Sequence, residues 1–320
     1  MLTRRGAIGG LAAPFILGAT GAGARIGGPA AEQAAGFARF SLGAFGVTVL
    51  SDGHLPRPTD LYAVDPGQDG LRSFLRERRQ PEESTYSHCN HVMVETGDAT
   101  VLFDIGSGDK LTPTVGRLIE NMEAAEIDPA DVTHLALTHA HPDHVWGMMD
   151  DFGDEKRAPE AEVSIGAAEF DWWMKDGRID DVPAEDQGMV VGAQNALGAV
   201  ADEIRLMQPG DAVVSGVTAM DSPGHTAGHR SFMVESDGHQ LIVIGDALVN
   251  PYISFEQPDW RFGRDQDQDQ AAATRRRLLD MAATDGIAVI GYHLPFPGVG
   301  YVARAGEGFR FIPEPLTWGG

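Results

Sequence analysis

Hydrophobic residues along the chain either alternate with polar residues or form short continuous runs, and both patterns predict β-strands. Residues 40–50 alternate in this way and end at a Ser-Asp-Gly-His sequence. Residues 91–96 and 100–104 are apolar segments on either side of Gly97-Asp98, which predicts a hairpin. Further strands are predicted at residues 132–137, 162–165, 204–207, 213–220, 230–235, 240–244 and 287–290.

Helical periodicity lies between these strands. Residues 112–127 place Val115, Leu118, Ile119 and Met122 at helical intervals, so a helix is predicted there. Strand, helix and strand in this order indicate a crossover in an α/β layer. Further helices are predicted at residues 167–175, 186–202 and 269–283.

Domain organisation follows from the order of these elements. Two successive blocks of hairpin, strand and helix are consistent with two similar half-domains. No linker separates the blocks, so the sequence predicts one structural domain over residues 37–315. Residues 55–87 show no clean periodicity and contain four prolines. An irregular insert is predicted there, as a lid, a rim or a contact between the subunits of a homodimer.

Composition and net charge limit the kinds of molecule that the protein is expected to bind. The chain has 320 residues, 42% of them hydrophobic and 22% charged, which is ordinary for a globular protein. With 24 Lys and Arg against 47 Asp and Glu, the net charge is −23. This charge argues against nucleic acid, against anionic membrane surfaces and against long-range attraction of anionic substrates. The single cysteine, Cys89, excludes an internal disulfide and a cysteine-based zinc knuckle.

The first residues have the features of a targeting segment. Arg4 and Arg5 precede a weakly apolar run at residues 7–20, and residues 22–24 match a small-residue cleavage site. Residues 1–24 therefore resemble a twin-arginine export signal. This predicts a periplasmic or exported protein whose mature form has no membrane span. The alternative is an ordinary flexible N-terminus on a cytoplasmic protein.

The strongest chemical signal is a cluster of three histidines and an aspartate within six residues, directly after a predicted strand. His139 and His141 are two apart on extended backbone, so they point the same way. Pro142 suits the first position of a helix, which places Asp143 and His144 in its first turn, facing a second point. Two adjacent metal positions are predicted. Nitrogen and carboxylate ligands suit zinc best, with manganese, iron or cobalt as alternatives.

Three more ligand-type residues fall where predicted strands end: His225, Asp246 and His293. In open α/β sheets functional groups collect at strand ends, so these residues are candidates for the same site. Asp52 and His54 also follow a strand. They either orient a ligand imidazole or form a turn.

The full set of ligand-type residues resembles that of the metallo-β-lactamase superfamily of hydrolases. The resemblance implies an α/β fold, an αββα sandwich of two mixed sheets with helices on the outer faces and the site at the edge between the sheets. It implies that Asp246 bridges two metal ions and that His229 has a supporting role only. It assigns His139, His141 and His225 to the first metal, and Asp143, His144 and His293 to the second.

Within the superfamily, residues 51–53 and 291–300 look like the branch that contains methyl parathion hydrolase, with lactonases and arylesterases among its relatives. This implies a hydrolase of esters, lactones or phosphotriesters with two divalent metal ions, zinc foremost. The ions would share a water and lower its pKa toward ~7, so that the resulting hydroxide attacks the substrate. Asp143 and Asp246 are the expected catalytic residues, since Asp246 holds the metal pair and Asp143 steers the nucleophile.

Other functions are compatible with the same ligands. One is a mononuclear relative, either a glyoxalase II-like glutathione-thioester hydrolase or an iron-dependent sulfur dioxygenase. Another is a metal-binding module without catalysis. Residues 55–87, 171–189 and 250–269 are the expected specificity segments. Their aromatic residues line a substrate pocket or pack in the core and rim: Trp172, Trp173, Phe255, Trp260 and Phe262.

Overall fold

The computed structural model describes residues 36–150 and 152–316. Fourteen strands in this part of the chain form two seven-stranded sheets. The predicted export signal lies outside the described residues. Within them, no helix combines the length and the apolar character needed to cross a membrane.

The first sheet runs in chain order, antiparallel from β1 to β4 and parallel from β4 to β7. Its parallel half follows from the crossover helices that the sequence predicts. Its strands are β1 (Phe37–Leu42), β2 (Phe45–Pro58), β3 (Ser84–Glu95), β4 (Thr100–Phe103), β5 (His134–Ala136), β6 (Glu162–Gly166) and β7 (Arg205–Met207).

The second sheet also runs in chain order, and only its central pair, β11 and β12, is parallel. Both sheets are therefore mixed. The strands of the second sheet are β8 (Ala212–Val214), β9 (Val217–Asp221), β10 (Arg230–Ser236), β11 (His239–Val243), β12 (Ala288–Ile290), β13 (Val299–Ala305) and β14 (Gly308–Pro313).

The helices cover the outer faces of the sheets. On the first sheet, Met122, Trp173 and Leu197 of three helices share a buried cluster with Leu50 and Leu102. On the second sheet, the longest helix contributes Leu279 to a cluster with strand residues. The helices are α1 (Gly67–Glu77), α2 (Leu118–Ala124), α3 (Pro142–Val145), α4 (Ala167–Met174), α5 (Gln187–Gly198), α6 (Ile253–Glu256) and α7 (Gln268–Asp285).

The inner faces of the two sheets pack on each other. Phe103 of β4 and Phe232 of β10 meet there, with ring centroids 5.0 Å apart. Because successive strand residues face opposite sides, Val49 joins this inner layer while Leu50 joins the outer one. Strands buried on both faces explain the nearly continuous apolar runs in the sequence. The predicted αββα sandwich is confirmed.

The prediction of an irregular insert at residues 55–87 is wrong. β2 continues to Pro58, β3 begins at Ser84, and α1 lies between them. Beyond Leu50, β2 pairs only with β3, so this part of the strand is an edge. An edge tolerates prolines because one side of the strand needs no backbone donors. Pro56 and Pro58 therefore made this part of β2 look irregular in the sequence.

Two further boundaries differ from prediction for reasons of backbone conformation. The helix predicted at residues 112–127 begins only at Leu118, since Gly116 has a φ of +92° that no helical residue adopts. The single strand predicted at residues 213–220 is two strands, β8 and β9, which turn at Gly216 with a φ of +82°.

Candidate metal centre

The predicted ligands follow four different strands and meet at one edge between the two sheets. The histidine cluster lies in the loop after β5 and in α3, and the other three ligands follow β9, β11 and β12. Pro142 begins α3, as predicted, so Asp143 and His144 lie in its first turn. Six of these seven side chains are buried and that of His141 is half-buried: His139, His141, Asp143, His144, His225, Asp246 and His293.

The first group of ligands consists of three imidazoles. Nδ1 of His141 lies 3.0 Å from Nε2 of His139 and 3.0 Å from Nε2 of His225. Burial holds the pKa of His139 and of His141 well below the ordinary value, and neighbouring imidazoles lower both further. Both rings are therefore neutral, which is the form that binds a metal ion.

The second group combines two imidazoles with carboxylates. Nε2 of His293 lies 3.3 Å from Oδ2 of Asp143 and 3.1 Å from Oδ2 of Asp246. Nε2 of His144 lies 3.7 Å from Oδ2 of Asp143 and 3.3 Å from Oδ1 of Asp246. These contacts bring the two imidazoles and the two carboxylates together, and Sγ of Cys89 also lies within 4.8 Å of ligand atoms of Asp143 and His293.

Asp246 lies between the two groups. Its Oδ2 is 3.4 Å from Nε2 of His225 in the first group, and its two oxygens contact His144 and His293 in the second. Burial alone would raise the pKa of Asp246, but His293 and His144 hold it well below the ordinary value. The ionised carboxylate of Asp246 therefore contacts both groups of ligands.

Four buried atoms of the second group have no hydrogen-bond partner among the described residues: Asp143 Oδ2, His144 Nε2, Asp246 Oδ1 and His293 Nε2. Leaving such atoms buried and unpaired is costly, at about 1–3 kcal/mol each. Bound metal would satisfy such atoms, because imidazole nitrogen and carboxylate oxygen are common zinc ligands. The residues therefore fit a metal ion on the observed geometry.

The outer nitrogens of three ligand imidazoles are held by hydrogen bonds. Nδ1 of His144 donates to Asp104 Oδ2 at 2.7 Å, and Nδ1 of His225 donates to Asp265 Oδ1 at 2.8 Å. Nδ1 of His293 donates to the carbonyl of His88 at 2.7 Å. These bonds fix the orientation of each ring, with its Nε2 on the side of the other ligand residues.

The sequence analysis missed these positioning groups. Asp104 ends a predicted strand, and a strand-end carboxylate is a signal that could have found it. Asp265 lies in a segment without periodicity, where no local pattern marks it. Asp104 also accepts hydrogen bonds from the amide and the hydroxyl of Thr138, at 2.7 and 2.8 Å, which ties it to the start of the histidine cluster.

Glu169 of α4 is a further residue that the sequence analysis missed. Its Oε1 accepts hydrogen bonds from the Ala140 amide at 3.0 Å and from Nε1 of Trp173 at 2.6 Å. Its Oε2 accepts from the Thr226 hydroxyl at 2.7 Å and the Gly228 amide at 2.9 Å. One buried carboxylate thus joins the loop of His139 and His141 to the loop of His225.

His229, Asp52 and His54 lie outside the ligand groups. Nε2 of His229 accepts a hydrogen bond of 3.0 Å from the Asp246 amide and so supports the turn that carries Asp246. Oδ1 of Asp52 accepts a hydrogen bond of 2.8 Å from the Leu118 amide, at the start of α2. The ring of His54 packs on Tyr86.

A cleft of about 820 Å³ opens over the ligand residues His141, Asp143, His225 and Asp246. All three expected specificity segments contribute to its walls. Trp172 and Trp173 both line it, although Trp173 is also buried in the core. The other three aromatic residues do not line the cleft. Phe255 packs on Phe311, Trp260 on Phe74, and Phe262 on Tyr62.

Comparison with known proteins decides the family. The sequence model of the "Metallo-beta-lactamase superfamily" matches residues 85–293. The chain belongs to this superfamily. A "Probable metallo-hydrolase" of Mycobacterium tuberculosis is 28% identical to it over 192 residues, covering 51% of this chain and 57% of that protein. The chain thus matches little more than half the length of this superfamily relative.

Two solved superfamily structures are similar over nearly their whole length. AidC, described as a dizinc quorum-quenching lactonase in complex with the product N-hexanoyl-L-homoserine, has a TM-score of 0.83 and 27% identity. The match covers 88% of this chain and 98% of AidC. The hydrolase AbOPH has a TM-score of 0.83 and 26% identity, covering 89% of this chain and all of AbOPH. The predicted superfamily membership is confirmed.

Proposed function

We propose that this protein is a metal-dependent hydrolase with two divalent metal ions, which acts on carboxylic esters, lactones or phosphotriesters. One observation carries the proposal. Two separate groups of ligand atoms share Asp246, and four of those atoms are buried without a hydrogen-bond partner in the described part of the chain.

The ligand residues divide between the two positions as the superfamily resemblance implies. His139, His141 and His225 would hold the first ion, and Asp246 would be shared. Asp143, His144 and His293 would hold the second. When bound, such a pair of ions, zinc foremost, supplies Lewis acidity that lowers the pKa of water and polarises a C=O or P=O bond.

Asp143 is the residue of this chain best placed to handle a proton. Burial would raise its pKa, but His144, His293 and Arg57 hold the pKa of this carboxyl below its ordinary value. The carboxylate therefore stays ionised, and Asp143 also lines the cleft. An ionised carboxylate at this position accepts a hydrogen bond from the attacking water and orients it.

The cleft favours an uncharged substrate with an apolar part. Trp146, Trp172 and Met189 line it, and their side chains suit an acyl chain or an aryl group. The net charge of −23 disfavours polyanions. The similarity to AidC supports lactones among the substrate classes, and the similarity to the hydrolase AbOPH supports a hydrolytic reaction.

The experiment is a panel of p-nitrophenyl esters, paraoxon-like triesters and acyl-homoserine lactones with the metal-loaded protein. His144→Ala and Asp246→Ala should each lower hydrolysis by at least about 100-fold, because each removes a ligand of the second ion. His239→Ala, on the exposed end of β11, is the matched control and should keep full activity. Full activity in either ligand variant would refute the dinuclear site. If the metal-loaded protein hydrolyses none of the panel substrates, a metal-binding role without catalysis would be favoured.

A further inference from the structure

Arg57 is a partly buried cation beside the second ligand group. It lies near the end of β2, lines the cleft, and has a side chain that is 22% exposed. Its Nη2 is 3.5 Å from Oδ2 of Asp143, which is too long for a good hydrogen bond. Its Nε is buried and has no hydrogen-bond partner in the described ranges.

A guanidinium in this environment needs an acceptor. It has five N–H donors, and a buried charge without hydrogen bonds is costly to keep. Asp143 is its nearest carboxylate, but Oδ2 of Asp143 is also a predicted metal ligand. Once that oxygen binds a cation, Asp143 offsets the charge of Arg57 less. The structure therefore leaves donor capacity in the cleft that protein groups do not use.

The other arginine among the residues that line the cleft has a partner. Nη1 of Arg264 lies 3.1 Å from Oδ1 of Asp186, and its side chain is 44% exposed at the rim. Arg57 is therefore the cation positioned to meet a ligand at the inner end of the cleft, beside Asp143.

We propose that Arg57 forms an anion subsite, in which its guanidinium binds the oxygen that becomes negative when the substrate is hydrolysed. The ligand class is a carboxylate or a phosphate diester, and both match the planar fork of an arginine. The inference rests on the proposed function, because it takes the anion to be the product of that reaction.

The chemistry of hydrolysis supplies such an anion for every proposed substrate class. The oxygen of water bonds to the acyl carbon or the phosphorus, and the bond to the leaving oxygen breaks. One water proton goes to the leaving oxygen, which becomes the hydroxyl of a separate alcohol or phenol or, for a lactone, of the same product molecule. The other is released from the new acid at neutral pH, so the acid remains as an anion next to Arg57.

The test measures binding by calorimetry to the full, metal-loaded chain. The probes are hexanoate, diethyl phosphate and the neutral hexanamide. In Arg57→Met, affinity for at least one anion should fall by at least about tenfold, while the affinity for hexanamide stays unchanged. Arg264→Met, the matched control, should bind all three probes as the wild type does. A larger effect on hexanoate indicates a carboxylic ester or lactone substrate, and a larger effect on diethyl phosphate a triester.

Equal anion affinity in the wild type and Arg57→Met, at equal metal content, would overturn the proposal. Should Arg57→Met fail to fold, arginine modification of the wild type by phenylglyoxal gives the same answer. Hexanoate or diethyl phosphate should slow the modification of Arg57, mapped by mass spectrometry, and hexanamide should not. Equal rates with and without the anions would again refute the subsite.

The two proposals fail separately. Anion binding that depends on Arg57, without turnover of any panel substrate, would contradict the proposed function and leave the subsite standing. Turnover of a panel substrate, together with anion binding that does not depend on Arg57, would contradict the anion subsite and leave the proposed function standing.

Discussion

The Asp104 carboxylate accepts a hydrogen bond of 2.7 Å from Nδ1 of His144. Asp104 has a left-handed φ of +61° at the end of β4, and this backbone turn brings its side chain to the loop after β5. Aspartate and asparagine tolerate this conformation better than most residues. The hydrogen bond directs Nε2 of His144 toward Asp143 and Asp246, so the arrangement of the second ligand group depends on Asp104.

Asp104→Asn should weaken binding of one metal ion by about 10–100-fold. An amide has a single oxygen and cannot accept the three hydrogen bonds that Asp104 receives from Thr138 and His144. Chelator competition with metal analysis measures the change. Asp98→Asn, in the exposed turn between β3 and β4, should bind metal as the wild type does. Unchanged affinity in Asp104→Asn would show that Asp104 does not hold His144.

Glu169→Ala should lower the free energy of unfolding by about 3 kcal/mol or more, because four buried donors lose their acceptor. Urea unfolding of the metal-free protein measures this loss without a contribution from metal binding. Glu160→Ala, on an exposed turn, should change stability by less than about 0.5 kcal/mol. Equal stabilities of the two variants would mean that the two ligand loops do not depend on Glu169.

His229 should make the metal-free protein sensitive to acid. Burial, followed by the neighbouring His225, lowers its pKa from 6.5 to about 3. Its Nε2 accepts a hydrogen bond from the Asp246 amide, so a proton on Nε2 would bring two N–H donors into contact. Between pH 6.5 and 3 the unfolded chain binds this proton and the folded chain does not. Stability from this residue is therefore complete above pH 6.5 and is lost as the pH falls.

A comparison with His229→Gln isolates this effect. Between about pH 5.5 and 4.5, the stability of the wild type relative to the variant should fall by about 1.4 kcal/mol per pH unit. Urea unfolding at each pH, with both proteins metal-free, gives the difference. A difference that is independent of pH would show that His229 takes up a proton in the folded state.

Gly192 of α5 sets the position of Trp146 in the cleft wall. A Cβ on Gly192 would lie 2.2 Å from Nε1 of Trp146, so Gly192→Ala should displace the ring and cost about 1–3 kcal/mol. Gly188→Ala on the same helix is the matched control, because a Cβ there meets nothing within 4 Å. Tryptophan fluorescence and urea unfolding should change in the first variant only. A Gly192→Ala protein as stable as Gly188→Ala would contradict the packing described.

The predictable part of the fold rested on local patterns. Short apolar runs located most strands because the side chains on both faces of the sheets are buried, and Pro142 located α3 because proline favours the first position of a helix. The elements that were predicted wrongly carry a local sequence signal for one structure but adopt another, because of their place in the fold. Pro56 and Pro58 lie in a strand because β2 is an edge there, and Gly116 interrupts a helical pattern through a positive φ.

The candidate site was predictable only in its ligand residues. Their types and strand-end positions are visible in the sequence, and the structure brings all seven together. The residues that hold them were not visible, because their partners lie far away in the chain. Asp265 is 40 residues from His225, and Glu169 is 29 residues from Ala140 and 57 from Thr226. No local periodicity encodes such pairings.

Metal content per chain tests the central claim most directly. Elemental analysis of the purified, dialysed wild type should find two divalent metal ions per chain, and His144→Ala should retain one, held by His139, His141 and His225. One ion per chain in the wild type would contradict the paired centre and favour a mononuclear thioesterase or sulfur dioxygenase.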